Sequence, residues 1–188
     1  MRIISGLFKG KKILDPKDKK TRPLKDLTKE SIFNIILHSN KFRIDLSNSY
    51  ILDLFAGVGS FGIECLSRGT QKVTFIENYN GVLPILKKNL LNLKVFKNYE
   101  IIEKDFYKDN FKLNFLNKFD IIFLDPPFKD KNIEKLFLKI ENLGIIKNNT
   151  IIILHRHKNE IDNFPSKFKI IEKKKYGISN IFFFSYLN

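Results

Sequence analysis

Four consecutive residues in the second half of the chain combine a carboxylate, two prolines and an aromatic ring: Asp125, Pro126, Pro127 and Phe128. Two successive prolines fix φ and remove two N–H donors, so this loop is expected to be rigid. The Pro126 carbonyl then remains as an acceptor beside the Asp125 carboxylate. A simpler interpretation is a rigid turn whose aspartate only caps the helix that follows.

Two neighbouring acceptors suit one kind of nucleophile, the exocyclic amine of a nucleic-acid base. The lone pair of such an amine is delocalised into the ring, which makes the nitrogen a poor nucleophile. Acceptors on both of its N–H bonds would favour a pyramidal nitrogen and stabilise the charge that develops during attack. Phe128 could hold the base by stacking, once the nucleotide has left its own stack. The loop therefore favours chemistry at a base amine.

A second group of residues predicts a small-molecule site. Gly57, Gly59 and Gly62 have the G-x-G-x-x-G spacing, and Glu77 lies about 20 residues further on. This spacing is typical of dinucleotide sites, where an acidic residue binds the ribose hydroxyls. Asp53 argues for another ligand, because its charge would repel a pyrophosphate but complement the ammonium and sulfonium groups of S-adenosylmethionine. We therefore expect S-adenosylmethionine, and an NAD-dependent enzyme is the alternative.

Other residues that could do chemistry give weaker indications. Asp105 follows a predicted strand and could accept a hydrogen bond from an adenine amino group, with Phe106 against the ring. Cys65 is the only cysteine, which excludes an internal disulfide and a cysteine-based metal site. His155 and His157 lie in a lysine-rich region and are expected at the surface, so no metal is expected.

Alternating strands and helices are predicted to position these residues. Strands are predicted at 50–55, 72–77, 99–104, 118–124, 150–154, 167–172 and 180–186, and helices at 24–38, 60–68, 80–93 and 132–143. This alternation indicates an α/β fold with a mostly parallel sheet, whose ligand crevice lies at the carboxyl ends of the strands. Asp53, Glu77, Asp105 and Asp125 all fall at such strand ends, which places them in one predicted crevice.

The overall charge favours an anionic partner. The formal net charge is +14 and the pI is about 9.7, values that suit nucleic acid or an acidic membrane surface. A lysine-rich composition could instead reflect an AT-rich genome. No apolar run approaches the roughly 20 residues that cross a bilayer, and the N-terminus does not resemble a signal peptide. A cytoplasmic protein is therefore expected, without membrane association and as a monomer.

Residues 1–22 are predicted to form a basic extension, a β-hairpin with strands at 2–5 and 11–14, ahead of a catalytic domain at 23–188. Its basic residues could hold RNA phosphates without reading sequence. The residues expected to do so are Arg2, Lys9, Lys11 and Arg22. Residues 16–20 are expected to be a solvated tail.

The whole chain resembles the bacterial 16S ribosomal RNA guanine-N2 methyltransferase family, whose loop belongs to the Asp/Asn-Pro-Pro-Tyr/Phe class of amino-methyltransferases. The segments that carry the resemblance are Met1–Lys12, Thr21–Pro23, Ser31–Ile35, Leu52–Gly57, Leu66–Gly69, Phe123–Phe128 and Lys175–Gly177. The resemblance implies a Rossmann-like fold with a seven-stranded, mostly parallel sheet, helices on both faces and an antiparallel last strand.

The resemblance also implies an activity, methyl transfer from S-adenosylmethionine to the N2 amine of a guanine in 16S rRNA, free or within a small-subunit particle. The product would be S-adenosylhomocysteine. The residues implied in donor binding are Asp53, Phe55, Ala56, Gly57, Gly59, Glu77, Asn78, Asp105 and Phe106. The residues alone do not choose guanine over adenine, so an adenine-N6 methyltransferase of DNA or RNA stays open, as does a non-catalytic RNA-binding assembly factor.

Overall fold

A single seven-stranded sheet organises the protein. The computed structural model describes residues 1–16, 18, 24–94, 97–108 and 118–187. The strands are β1 (Tyr50–Leu54), β2 (Lys72–Ile76), β3 (Tyr99–Ile102), β4 (Phe119–Leu124), β5 (Ile146–His157), β6 (Phe168–Tyr176) and β7 (Ser179–Tyr186). Their order across the sheet is β3-β2-β1-β4-β5-β7-β6. β7 runs antiparallel to β5 and β6, and the other neighbours are parallel, which confirms the expected sheet.

Among the described residues, four α-helices connect or flank the strands. They are α1 (Asp26–His38), α2 (Ser60–Ser67), α3 (Leu83–Leu93) and α4 (Ile133–Asn142), and a short 3₁₀ helix spans Leu46–Asn48. Pro84 lies in the first turn of α3. Backbone N–H groups in a first turn have no acceptor within the helix, so proline, which lacks an N–H, is tolerated there. Within the described part of the chain, no helix is long and apolar enough to cross a membrane.

Side chains alternate between the two faces of the sheet and form a core on each. In β4, Phe123 faces the side that α2 covers, and its ring stacks on Phe61 with centroids 4.1 Å apart. Leu124 faces the other side, where α4 contributes Phe137 to a cluster of aromatic rings that includes Phe184. The central parallel strands β1, β2 and β4 are therefore buried on both faces, as apolar runs in a parallel sheet predict.

β5 is longer than predicted. The prediction covered residues 150–154, and Asn148 and Asn149 just before them are poor strand formers. The strand begins at Ile146, which pairs with Phe119 of β4. It continues to His157, which pairs with Ser179 of β7. The two asparagines lie where the register between β4 and β5 shifts, so pairing at the two ends extends the strand across them.

The N-terminal residues pack on the main domain. Ile3 and Ile13 are 1% and 2% exposed and belong to the core on the α2 side. The two predicted strands are reduced to a single antiparallel bridge between Arg2 and Lys12. The bridge is local because the backbone N–H groups of Ile4 and the next residue turn toward α2. We call residues 1–14 the N-terminal hairpin.

Buried polar groups hold the N-terminal hairpin in place. The Glu64 carboxylate of α2 is fully buried and accepts the N–H groups of Ile4 and Ser5, at 2.8 and 2.9 Å. Lys29 of α1 is also fully buried, and its ammonium donates to the Arg2 carbonyl at 2.8 Å. A Cβ on Gly6 would lie 1.9 Å from the Ser67 carbonyl oxygen, so only glycine allows the hairpin to approach α2 this closely.

Candidate active site

The carboxyl ends of the central strands surround a cavity of about 520 Å³. This volume lies within the range of small-molecule sites, roughly 300–1,000 Å³. Ten of the predicted site residues line the cavity: Asp53, Phe55, Ala56, Gly57, Glu77, Asn78, Asp125, Pro126, Pro127 and Phe128. The predicted donor loop and the Asp-Pro-Pro-Phe loop therefore face the same space. Their neighbours there include Leu24, Phe61 and His155.

The loop between β1 and α2 turns sharply toward the cavity. Phe55, Gly57 and Gly59 all have positive φ, at 63°, 57° and 84°. Phe55 has no glycine-like freedom, and a side chain held in this region is typical of a functional site. Gly59 does not line the cavity but precedes α2 as its N-cap. Gly62 allows close packing of helix on sheet, because a Cβ there would lie 2.3 Å from the Phe75 ring.

Glu77 holds this loop as well as facing the cavity. One carboxylate oxygen, Oε2, accepts the Gly57 N–H at 2.7 Å. The other, Oε1, accepts the N–H groups of Asn78 and Tyr79, each at 2.8 Å. A carboxylate has about four acceptor positions, so one remains for a ligand hydroxyl. The spacing alone could predict the ribose contact but not this structural role.

Asp53 lies at the buried end of the cavity. The residue is 1% exposed, and its Oδ2 accepts the Gly62 N–H at 2.9 Å. Burial raises the pKa of the Asp53 carboxyl well above its usual range, and the nearby charges of Asp125 and Glu77 add to this rise, whereas the Gly62 N–H opposes it. Three carboxyl groups thus face one cavity, which fits a cationic ligand such as S-adenosylmethionine and disfavours a pyrophosphate.

Asp105 and Phe106, at the end of the third predicted strand, do not line the cavity. Asp105 is half-buried, and its Oδ1 accepts the Tyr107 N–H at 2.9 Å. Phe106 is 2% exposed and lies in the core on the α4 side, with the Lys139 ammonium 5.4 Å from its ring centroid. Neither residue lines the cavity, which corrects the prediction that the Phe106 ring faces the donor. An aromatic side chain after a strand can turn toward either face of the sheet. Here burial beneath α4 favours the face that α4 covers.

The Asp-Pro-Pro-Phe loop presents two acceptors. The Asp125 carboxylate is about 19% exposed, and its Oδ1 lies 2.8 Å from Nδ1 of His155. No hydrogen-bond donor within the described ranges reaches the Pro126 carbonyl. The Pro127 carbonyl, in contrast, already has two donors, since it accepts the Asp130 N–H at 2.8 Å and Nη1 of Arg156 at 3.2 Å.

Arg156 is a functional candidate that the sequence analysis did not identify. The side chain is fully buried and forms a bidentate ion pair with Asp162, at 2.8 and 2.9 Å. Two further N–H groups donate to the carbonyls of Pro127 and Asp130. Arg156, which does not line the cavity, thus fixes the backbone of the loop. A basic residue at the carboxyl end of a central strand is the signal that could have indicated it.

His155 was expected at the surface, and this prediction is wrong. The residue is 7% exposed and lines the cavity. β5 continues past residue 154 in pairing with β7, and the imidazole lies between Asp125 and Ser179. Its Nε2 lies 2.8 Å from the Ser179 hydroxyl.

Within the described part of the chain, no three His, Cys, Asp or Glu side chains are grouped to hold a metal ion.

The predicted RNA-binding residues lie in the N-terminal hairpin or just after it. Arg2, Lys9 and Lys11 are exposed, and the Lys11 ammonium lies 4.9 Å from the Phe8 ring centroid. Arg22 lies outside the described residues, as do the other residues at 19–23. Leu24, which precedes α1, lines the cavity.

The fold and the cavity define a class of protein. The structure superimposes on the crystal structure of a Haemophilus influenzae protein designated a methylase, with a TM-score of 0.77 and 32% identity, covering 100% of this chain and 98% of that chain. An RNA methyltransferase from Salinibacter ruber, solved in complex with S-adenosyl-L-homocysteine, shares the fold at 13% identity, with a TM-score of 0.64 over 89% of this chain and 95% of that chain. The fold is that of the S-adenosylmethionine-dependent methyltransferases.

Sequence comparison gives the family. Residues 1–185 match the family described as Conserved hypothetical protein 95. Ribosomal RNA small subunit methyltransferase D of Haemophilus influenzae is 34% identical over 185 residues, 95% of this chain and 90% of that protein. The protein of the same name from Escherichia coli is 28% identical over 182 residues, 94% of this chain and 85% of that protein. The chain belongs to the ribosomal RNA small subunit methyltransferase D family, as the resemblance predicted.

Proposed function

We propose that the protein transfers a methyl group from S-adenosylmethionine to the N2 amine of a guanine in 16S rRNA. The observation that carries this proposal is the cavity that the donor loop shares with the Asp-Pro-Pro-Phe loop. Direct transfer between two bound molecules needs such a shared space, because the two reacting atoms must approach to about 3–3.5 Å. The names of the relatives support small-subunit rRNA as the substrate.

The donor side of the cavity suits the proposed methyl donor. Bound there, S-adenosylmethionine would supply an electrophilic methyl carbon on a positively charged sulfur. Asp53 would complement the positive charges of this ligand, and its buried carboxyl would become ionised on binding. Glu77 would accept a ribose hydroxyl with its remaining acceptor position while it keeps the Gly57 N–H in place.

The acceptor side of the cavity suits a planar base with an exocyclic amine. Asp125 and the Pro126 carbonyl would accept its two N–H bonds and so expose the nitrogen lone pair to the methyl carbon. Methylation would require the nitrogen to give up one proton, and the Asp125 carboxylate would be the base placed to accept it. The Phe128 ring would stack on the base. A pair of acceptors recognises an NH₂ group but does not distinguish between the rings that can carry it.

The N-terminal hairpin supplies positive charge for the RNA. Arg2, Lys9 and Lys11 are exposed on an element that Glu64 and Lys29 fix to the domain. Phosphate contacts from such residues orient the RNA and give affinity that falls with salt. We assign Arg22 to the same role on the sequence alone.

One experiment tests the activity and the target atom together. Small-subunit particles isolated from cells that lack this methylation are incubated with the protein and methyl-tritiated S-adenosylmethionine, and the RNA is digested to nucleosides. We expect label in N2-methylguanosine with the wild-type protein and none with Asp125→Ala. Label in N6-methyladenosine would favour the adenine alternative. Donor binding without any labelled nucleoside would favour the non-catalytic assembly factor.

A further inference from the structure

A chain of two hydrogen bonds runs from Asp125 into the sheet. Oδ1 of Asp125 lies 2.8 Å from Nδ1 of His155, and Nε2 of His155 lies 2.8 Å from the Ser179 hydroxyl. His155 is on β5 and Ser179 begins β7, so two adjacent strands support the carboxylate. Both of these residues are less than 9% exposed.

The carboxylate fixes the direction of the first of these bonds. An ionised carboxylate can only accept, so Nδ1 of His155 carries a proton and donates it to Asp125. In the neutral ring Nε2 then has a lone pair, which accepts the Ser179 hydroxyl. Asp125 therefore sets the tautomer, and the Ser179 hydroxyl, which can donate or accept, provides a partner for the second ring nitrogen.

We propose that His155 is a positioning residue that orients the Asp125 carboxylate toward the amine of the bound base. With Oδ1 held by the imidazole, Oδ2 is left for the substrate amine, and within the described ranges no donor competes for it. The same imidazole meets the Phe128 ring edge-on, with centroids 5.3 Å apart and an angle of 80° between the planes. His155 thus contacts both parts that hold the base. The inference rests on the proposed function.

The contact between His155 and Asp125 is distinct from the hydrogen bonds of Arg156, which hold the backbone of the Asp-Pro-Pro-Phe loop. Arg156, the next residue, fixes the carbonyls of Pro127 and Asp130 and forms a bidentate pair with Asp162. Loss of Arg156 would move the whole loop. Loss of His155 would leave the backbone fixed and free only the carboxylate and one side of Phe128. The effect of His155 should therefore fall on turnover and not on folding or donor binding.

The test compares single-turnover methylation of the same small-subunit particles by the wild type, His155→Ala, His155→Asn and Ser179→Ala. The Asn variant keeps an N–H close to the position of Nδ1. His38→Ala is the matched control, because His38 is an exposed histidine at the end of α1. The midpoint of thermal unfolding and the Kd of S-adenosylmethionine are measured for each protein.

We expect His155→Ala to lower the single-turnover rate constant on the order of 100-fold, since a small misplacement of a reacting group has an effect of this size. The particle concentration that gives half the maximal rate and the Kd of the donor should not change, and the protein should stay folded at the assay temperature although loss of the buried imidazole lowers the unfolding midpoint. His155→Asn should recover most of the loss, and Ser179→Ala should fall between the two. His38→Ala should match the wild type.

Three results would overturn the inference: wild-type turnover in His155→Ala, an Asn variant as slow as the Ala variant, or a loss of turnover that only follows a loss of folding or donor binding. The Asn and Ser179 variants keep the test decisive should His155→Ala fail to fold. A wild-type protein that methylates no RNA would instead reject the proposed function, and the inference with it. An active wild type with an equally active His155→Ala would reject the inference alone.

Discussion

Glu77 has two roles at the scale of single residues, since one carboxylate accepts three backbone N–H groups and also faces the donor side of the cavity. Glu77→Ala should lower the free energy of unfolding by about 2 kcal/mol, because N–H groups buried beside it lose their acceptor. It should also raise the Kd of S-adenosylmethionine. Urea unfolding and calorimetry measure the two effects.

A surface glutamate provides the comparison for Glu77. Glu103 is paired with Lys87, but its side chain is 46% exposed. Its replacement by Ala should therefore change stability by less than about 1 kcal/mol and leave donor binding unchanged. If Glu77→Ala behaved like Glu103→Ala, the proposed loop and ribose roles of Glu77 would both be rejected.

The buried carboxyl of Asp53 predicts a dependence of stability on pH. Burial raises its pKa well above the usual 3.8, so the folded protein keeps this proton at pH values where the unfolded chain has lost it. The contribution of Asp53 to stability therefore falls as pH rises above 3.8, up to the folded pKa. Asp53→Asn keeps an acceptor for the Gly62 N–H and removes the proton, so the variant should gain stability relative to the wild type as pH rises.

Asp45 provides a control of opposite sign. Hydrogen bonds from Ser47 and Asn48 lower the pKa of its carboxyl, so its contribution is present above the unfolded pKa and is lost as pH falls through the folded pKa. Urea unfolding of Asp53→Asn and Asp45→Asn at a series of pH values should therefore give differences from the wild type that change in opposite directions. A flat difference for Asp53→Asn would contradict the buried, protonated carboxyl.

Residue type and chain position were enough to predict much of the candidate site. Asp53, Glu77 and Asp125 line the cavity because each ends a parallel strand, which the sequence pattern already indicated. The directions of Phe106 and His155 could not be predicted, because they depend on neighbours that are distant in the chain. Phe106 turns under α4, and His155 is enclosed by β7.

At the scale of elements, the carboxyl end of β5 supports the Asp-Pro-Pro-Phe loop. Arg156→Met should release the carbonyls of Pro127 and Asp130 and leave the buried Asp162 without its partner. Breaking a buried pair in this way lowers the free energy of unfolding by about 3–5 kcal/mol. Turnover should fall as well, because Asp125 then stands on a mobile loop.

A double variant separates the two consequences of removing Arg156. Arg156→Met combined with Asp162→Leu removes both charges, and such a change can restore stability. It cannot restore the hydrogen bonds to the loop carbonyls. We expect the unfolding free energy to recover while single-turnover methylation stays low. Recovery of both would show that Arg156 stabilises the fold without positioning the loop.

The N-terminal hairpin shows why element boundaries are harder to predict than elements. Turn residues around Gly6 and Gly10 indicated a hairpin, but only one bridge forms. The carboxylate of Glu64 takes the N–H groups of Ile4 and Ser5, and this partner lies about 60 residues away in the chain. No local pattern contains such a contact. For the same reason the ends of β5 were set by β4 and β7 and not by its own sequence.

At the scale of the whole molecule, the net charge of +14 does not by itself show where RNA binds. Two groups of one arginine and two lysines lie on different parts of the protein. Arg2, Lys9 and Lys11 are exposed on the N-terminal hairpin. The second group lines a recess at the amino ends of β4 and β5, whereas the cavity lies at the carboxyl ends of the strands. This group consists of Arg43, Lys118 and Lys147. Their charges are equal, so replacing each group by alanine separates position from charge.

The hairpin triple variant Arg2→Ala/Lys9→Ala/Lys11→Ala should bind small-subunit rRNA more weakly, and the slope of log K against log salt should become shallower. Each lost phosphate contact reduces the slope by roughly 0.7–0.9, so three contacts would reduce it by about 2–3. The recess triple variant Arg43→Ala/Lys118→Ala/Lys147→Ala should leave the slope nearly unchanged, because its side chains lie away from the cavity. Filter binding from low to moderate salt measures both slopes. Equal losses in the two variants would mean that the RNA responds to total charge, and the hairpin would then have no special part in holding it.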